Sequence, residues 1–448
     1  MDASWLRWLP KLLSQYIADR QNLQAILKNS SWLIVDKVVR MLVGLFVGIW
    51  VARYLGPESF GQLNYAVAFV SLFTAAASVA SESIVVRELV SYPEHKNEIM
   101  ASAFCLKLIG CIAALFISQL AIWKFGSGDK AVLLMVCIVA SGMIFQAVDV
   151  VDYWFQSQMK SKFTILARGL AFILFSFVKI VLIVTKGPLI TFALTVLAEA
   201  VVGSVGLIVV YRINGHFLRL RFLSVKWAKK ITQHSFFLML SGFAVAFYMK
   251  IDQVMISNMV GNRELGVYSV ATRLSEIWYF LAVAISSSVF PSLIESKKRD
   301  ILLFDLQYRN LCWAMAFLSI SIALVTGLSS EILVDVLYGS EFKESAPILS
   351  LHIWSVVFVY CAFPTTLLLT IDGLQRYVFA STLLGATCNL GLNLYLIPLY
   401  GGVGAAIATV VSYFVSGYLA YFIFPQTRYA VIIITKSIVR PWVSLAKN

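Results

Sequence analysis

Ionisable side chains interrupt the long apolar runs of this 448-residue chain, and their types and spacing are the first guide to its chemistry. The first half carries Asp36, Lys37, Arg40, Glu82, Lys107, Asp149, Asp152, Arg168, Lys179 and Glu199; the second carries only Lys250, Asp252, Arg273 and Glu276. Asp36/Arg40, Asp149/Asp152 and Arg273/Glu276 each share a helical face at i,i+4 or i,i+3 spacing. A charge in hydrocarbon costs about 2.5–3.5 kcal/mol on insertion scales, so such residues face the protein interior or a watery cavity. Structural pairing of cations with an equal number of anions accounts for any one of them. The set as a whole fits a hydrated central cavity better, because a bundle can pack on Gly, Ala and Ser without that cost. Exposed Arg and Lys in such a cavity suit an anionic cargo such as phosphate, whose oxygens match the guanidinium fork.

The elements that must position these charges follow from composition. Sixty per cent of residues are hydrophobic and 13% charged, against about 45–50% and 25% in ordinary globular domains. Apolar runs long enough to cross a hydrocarbon core of roughly 30 Å recur throughout. The sequence predicts an all-α polytopic membrane protein with twelve transmembrane helices: 31–54, 63–86, 99–123, 131–155, 163–185, 188–211, 235–260, 265–291, 310–328, 346–370, 377–398 and 402–424. EILVDVLYGSEF, within 329–346, is too short to span and is expected at the outer surface. YAVIIITKSIV (429–439) is expected at the interface. In residues 1–30, apolar residues from Trp5 to Ile17 at helical spacing suggest a surface helix, although Pro10 and a loosely ordered tail compete with that reading.

Both termini are placed on the cytoplasmic side, because that choice puts most Lys and Arg in inside segments and leaves Arg53, Lys124, Lys130, Lys186, Arg263 and Lys343 outside. The net charge of +13 is therefore mostly a topology signal. The basic loop RLRFLSVKWAKK (219–230) reads as a topology anchor touching anionic lipid, with no fold beside it to bind nucleic acid.

Six spans precede that loop and six follow, which predicts two parallel-repeat six-helix lobes around a central cavity. The expected divisions are an N-terminal segment (1–30), an N-lobe (31–213), the basic loop (214–234), a C-lobe (235–424) and a C-terminal cytoplasmic tail (425–448). VARYLGPESFGQLNYA (51–66) has a counterpart in ISNMVGNRELGVYSVA (256–271), matching Gly56 with Gly261, Gly61 with Gly266 and Ala66 with Ala271. A second pair aligns 180–197 with 394–411 and matches Gly187 with Gly401. Gly56 can end a helix in a left-handed conformation and Pro57 stops its continuation, so Gly56, Gly61, Gly261 and Gly266 are expected hinge or turn positions. Gly44, Gly48 and Ala52 form a small-residue stripe for close helix approach. Pro291 and Pro364 are tolerated bends or kinks.

Other chemistries lack residues. The cysteines lie singly in apolar runs and the histidines are scattered, so no metal site or disulfide framework is read. No phosphate loop, nucleophile elbow or large polar loop is present; neither enzyme nor cofactor is expected.

NSSWLIVDKVVRM (29–41), VARYLGPESFGQLNYA, VDYWFQSQMKSKF (151–163) and LNLYLIPLYGGVGAAIATVVSY (392–413) resemble the polysaccharide transporters. These are the O-antigen and capsule repeat-unit flippases of the multidrug/oligosaccharidyl-lipid/polysaccharide exporter superfamily. The resemblance covers about 30 to 425 and implies two lobes in a V, alternating access, and a cargo of oligosaccharide on undecaprenyl diphosphate in the bacterial inner membrane. It implies cavity roles for Asp36, Lys37, Arg40, Arg53 and Arg273, which join Lys107, Arg168 and Lys250. Glu82, Asp149 or Asp152 would couple movement to a proton or sodium gradient. A glycan polymerase and a chain-length regulator are compatible partners. Twelve spans rather than fourteen separate the chain from the similar lipid II flippases. An exporter of organic cations in the same superfamily is the alternative, and a membrane glycan polymerase a more distant one.

Overall fold

The computed structural model describes residues 21–439 apart from 77–78 and 126–128. The expected surface helix built on Trp5 to Ile17 lies outside the described residues. Every regular element among those described is helical. Ten segments are long and apolar enough to cross a membrane.

The first helix, α1, runs Gln21–Ala76 and is broken at Gly56, whose φ of 70° and ψ of 171° lie outside helical space, with Pro57 directly after it. Pro57 cannot donate to the preceding turn, so α1 breaks here into two arms. A short helix, α2 (Glu82–Ser91), follows. Then come α3 (Lys96–Phe125), α4 (Lys130–Ser141), α5 (Asp149–Ser157), α6 (Lys162–Val184) and α7 (Leu189–Ile213). Asp129 caps α4 by accepting from the Ala131 amide at 2.9 Å, and such a cap typically contributes about 1 kcal/mol.

The second half opens with α8 (Val225–Met259), α9 (Asn262–Glu276) and α10 (Tyr279–Arg299). Gly261, between α8 and α9, has φ 131° and so repeats the positive-φ turn of Gly56. Next are α11 (Ile301–Leu328), α12 (Ser330–Tyr338), α13 (Ser345–His352), α14 (Ser355–Ile371), α15 (Gln375–Phe414), α16 (Ala420–Ile423) and α17 (Arg428–Val439). Pro291 and Pro364 sit inside α10 and α14. The break in α15 is at Gly401, φ 56° and ψ −133°, three residues after Pro398. The corresponding junction in the first half turns at Lys186, φ 56°, one residue before the matched Gly187.

Three expectations need correction. The second span was placed at 63–86, but the second arm of α1 ends at Ala76 and the chain restarts as α2 at Glu82. The segment 429–439 is a helix with one face in the bundle: Ala430 and Val431 are fully buried and Ile434 nearly so. Gly61 and Gly266 lie inside helices rather than in turns.

The core is largest where the second arm of α1 meets α9. Tyr65, Ala66, Tyr268 and Ala271 are all at most 1% exposed there.

Candidate functional site

In the first half, α3, α5 and α6 assemble a charge cluster. Lys107 Nζ lies 3.1 Å from Asp149 and donates to the Tyr153 hydroxyl at 2.8 Å. Arg168 bonds the other Asp149 oxygen and stands 3.6 Å from Asp152. Lys107 is buried at 4% exposed, so it anchors Asp149 from behind. Asp149, Arg168, Arg40 and Glu199 face a cavity of about 390 Å³. Lys179 reaches Glu199 at 3.4 Å, tying α6 to α7. Arg40 binds Asp36 through its Nε, 2.9 Å from each carboxylate oxygen, and its guanidinium stacks 5.2 Å from the Phe172 ring centroid.

Between the halves the arrangement is different. Arg273 projects from α9 against the first arm of α1, where a Cβ on Gly48 would overlap its guanidinium. The stripe of Gly44 and Gly48 therefore receives a cation: Arg273 Nη2 donates to the Gly44 carbonyl at 3.4 Å. Arg273 lines two adjoining cavities of about 210 and 220 Å³, both also lined by Asn64 and Val67. Lys250 and Glu276, 3.8 Å apart, stand in the second. Arg273 has no carboxylate partner among the described residues. Structural pairing therefore does not explain Arg273.

Asp252 presents the converse case. It is 5% exposed, and its carboxylate accepts from the Tyr268 hydroxyl and from the Gln253 amide at 2.7 Å, with no cation at salt-bridge distance among the described residues. Around it, Tyr268 meets the His352 ring edge-on at 6.1 Å and His352 Nδ1 is 2.6 Å from Ser275 Oγ. Sequence spacing offered no signal for this site, because Asp252 has no charged neighbour at helical spacing and Tyr268 comes from another helix.

The remaining sequence candidates scatter. Lys37 is exposed. Glu82 is exposed in the first turn of α2, outside the ten long apolar segments. Asp149 and Asp152 are both engaged by cations. Arg53 lies at the Gly56 end, donating at 3.2 Å to the Val336 carbonyl near the end of α12, where unpaired carbonyls attract a cation.

That end is closed by the repeat itself. A Cβ on Gly61 would run into the backbone carbonyl of Asn262, and one on Gly266 into that of Pro57. In the alignment of the halves Gly61 matches Gly266 and Pro57 matches Asn262, so the two contacts are equivalent under exchange of the halves. Glu264 adds a brace by accepting from the Gly402 amide at 2.6 Å, and Tyr65 stands 3.4 Å from Asn258.

This architecture defines a class. The chain superposes with a TM-score of 0.72 on a multidrug resistance MATE family transporter of the MOP superfamily in its inward-facing conformation, at 16% identity over 89% of this chain and 96% of that one. It also superposes at 0.72 on the lipid II flippase MurJ in an inward closed conformation, at 15% identity over 90% of each chain. The fold is that of the MOP transporters. Residues 26–297 match the polysaccharide biosynthesis protein family, and the chain belongs to it. Among its relatives, the capsular polysaccharide biosynthesis protein CapF of Staphylococcus aureus is 23% identical over 89% of this chain and 99% of its own length. The probable flippase AglR of Haloferax volcanii is 26% identical over 87% and 81%.

Proposed function

We propose that the protein flips an oligosaccharide linked to undecaprenyl diphosphate from the cytoplasmic to the periplasmic leaflet of a bacterial inner membrane, serving O-antigen or capsule synthesis. The observation that carries this is Arg273: an unpaired guanidinium between the halves, at the junction of two cavities, is placed for a phosphate oxygen. CapF is named for capsular polysaccharide biosynthesis and AglR as a probable flippase, and both names support this reading.

Counting the two arms of α1 and of α15 separately turns ten apolar segments into twelve crossings. They divide into an N-lobe over 31–213 and a C-lobe over 235–424, joined by the basic loop 214–234, with both termini cytoplasmic. The glycine seal then lies on the periplasmic side and the cavities serve the cytoplasmic side. Movement of the lobes would open the seal and close the cytoplasmic side. Asp252 takes the coupling role first read at Glu82, Asp149 or Asp152, since a buried carboxylate whose charge no cation offsets gains most from binding a proton or sodium.

The test is headgroup translocation in liposomes holding the purified protein and fluorescent undecaprenyl-diphosphate oligosaccharide. Protein-dependent movement that falls at least tenfold in Arg273→Ala is expected. No movement with the native glycan, alongside gradient-driven uptake of a lipophilic cation, would transfer the protein to the drug-exporter class.

A further inference from the structure

An apolar groove of about 170 Å³ runs along the outside of the N-lobe between the first arm of α1 and the start of α6. Its walls are Val35 and Val39 on one side and Leu166, Leu170 and Ile173 on the other, each at least 40% exposed. Gly169 leaves the groove open: a Cβ there would stand 3.6 Å from Asp36, and anything longer would fill the channel. From Ile165 to Ile173 the wall is about 12 Å long at the helical rise, room for a segment of one hydrocarbon chain.

One end of this groove is not apolar. Arg40 lines both the groove and the 390 Å³ charged cavity, so the two spaces meet at a single guanidinium. Asp36 occupies only the Nε of Arg40. The Nη1 and Nη2 groups have no hydrogen-bond partner among the described residues, although Phe172 holds the plane in place. Two free parallel donors beside a lipid-facing channel match a phosphate whose hydrocarbon lies outside and whose polar group points inward.

We propose that this groove seats the first part of the polyprenyl chain of the lipid diphosphate, with Arg40 on the phosphate that carries the chain, the second phosphate left for Arg273, and the sugars in the charged cavity. This rests on the flippase reading. The occupant is a single-chain isoprenoid. The channel is one helix gap wide and fits one chain.

Photocrosslinking tests this without requiring transport. Benzoylphenylalanine replaces Leu170 in the full chain, and Leu394, 55% exposed on α15, in a control; both are reconstituted with labelled undecaprenyl-diphosphate oligosaccharide. Labelling at Leu170 at least fivefold above Leu394 is expected, unaffected by excess phosphatidylglycerol and reduced by Arg40→Gln. Gly169→Leu, which only fills the channel, should reduce it as well. Equal labelling at both positions, or competition by phosphatidylglycerol, overturns the proposal. Specific labelling without translocation would refute the flippase reading and leave the groove standing; translocation with uniform labelling would do the reverse.

Discussion

At Gly48 a missing side chain makes room for a charge. Arg273 is the flexible end of a long side chain, so a methyl group at Gly48 displaces the guanidinium without breaking the helix contact. Gly48→Ala is therefore expected to fold normally and to lose translocation by about the same factor as Arg273→Ala, tenfold or about 1.4 kcal/mol. Liposome flipping beside a thermal melt separates the two effects; a full-rate Gly48→Ala would show that the guanidinium position is unimportant. Asp252→Asn keeps the shape of the buried cluster and removes its charge. Substrate binding should persist while translocation stops responding to an imposed proton or sodium gradient. These two residues mark the limit of what spacing in the chain can tell. The intramembrane charges are visible as residues, but whether each has a partner depends on other helices: Asp149 finds Lys107 and Arg168, while Asp252 finds a tyrosine hydroxyl.

Between elements, α2 is fastened to the start of α8. Glu88, 2% exposed, stands 2.7 Å from Lys230 and 2.8 Å from Arg87, while Lys230 lies 4.1 Å over the Tyr92 ring. Burial pushes the Glu88 carboxyl up, but hydrogen bonds and charge from Lys230 and Arg87 outweigh it and hold it below the usual carboxylate range. The hydrogen bond to Glu88 raises Lys230 in turn. A depressed carboxyl stabilises the fold above its unfolded value of about 4.3, and a raised lysine stabilises it below its unfolded value of about 10.4. The fastening is therefore at full strength between those limits, and Glu88's share is lost as pH falls through its folded value. Glu88→Gln should lower stability at pH 7 by about 1.5–3 kcal/mol, with the difference from the unaltered protein shrinking below pH 4; a melt series in detergent reads it. The sequence made the Gly56 and Gly261 turns plain because glycine, proline and charge interrupt apolar runs. It did not show the break before α2, where Val79 and Ala80 are apolar and yet lie outside any helix.

For the molecule as a whole, the reciprocal glycines differ from Gly48 in what they face. The Asn262 and Pro57 carbonyls are backbone, tied into helices that cannot yield as a side chain does. A methyl at Gly61 or Gly266 must push the halves apart at this end, and such overpacking costs about 1–3 kcal/mol. The penalty falls only on the conformation in which the contact exists, so it shifts the equilibrium between sealed and open states about 5- to 150-fold. Asn64 reports the shift because it lines both cavities beside Arg273, one helical turn from Gly61 on the same arm of α1. In an otherwise cysteine-free protein, Asn64→Cys should react with a membrane-impermeant thiol reagent from the side opposite Gly56 at rest, and from the Gly56 side during turnover. Adding Gly61→Ala or Gly266→Ala should give labelling from the Gly56 side without substrate. The two variants should behave alike, because the contacts are equivalent under exchange of the halves. Labelling that stays on one side in every condition would make the glycine contact a fixed joint, and the moving part would have to be sought elsewhere in the bundle.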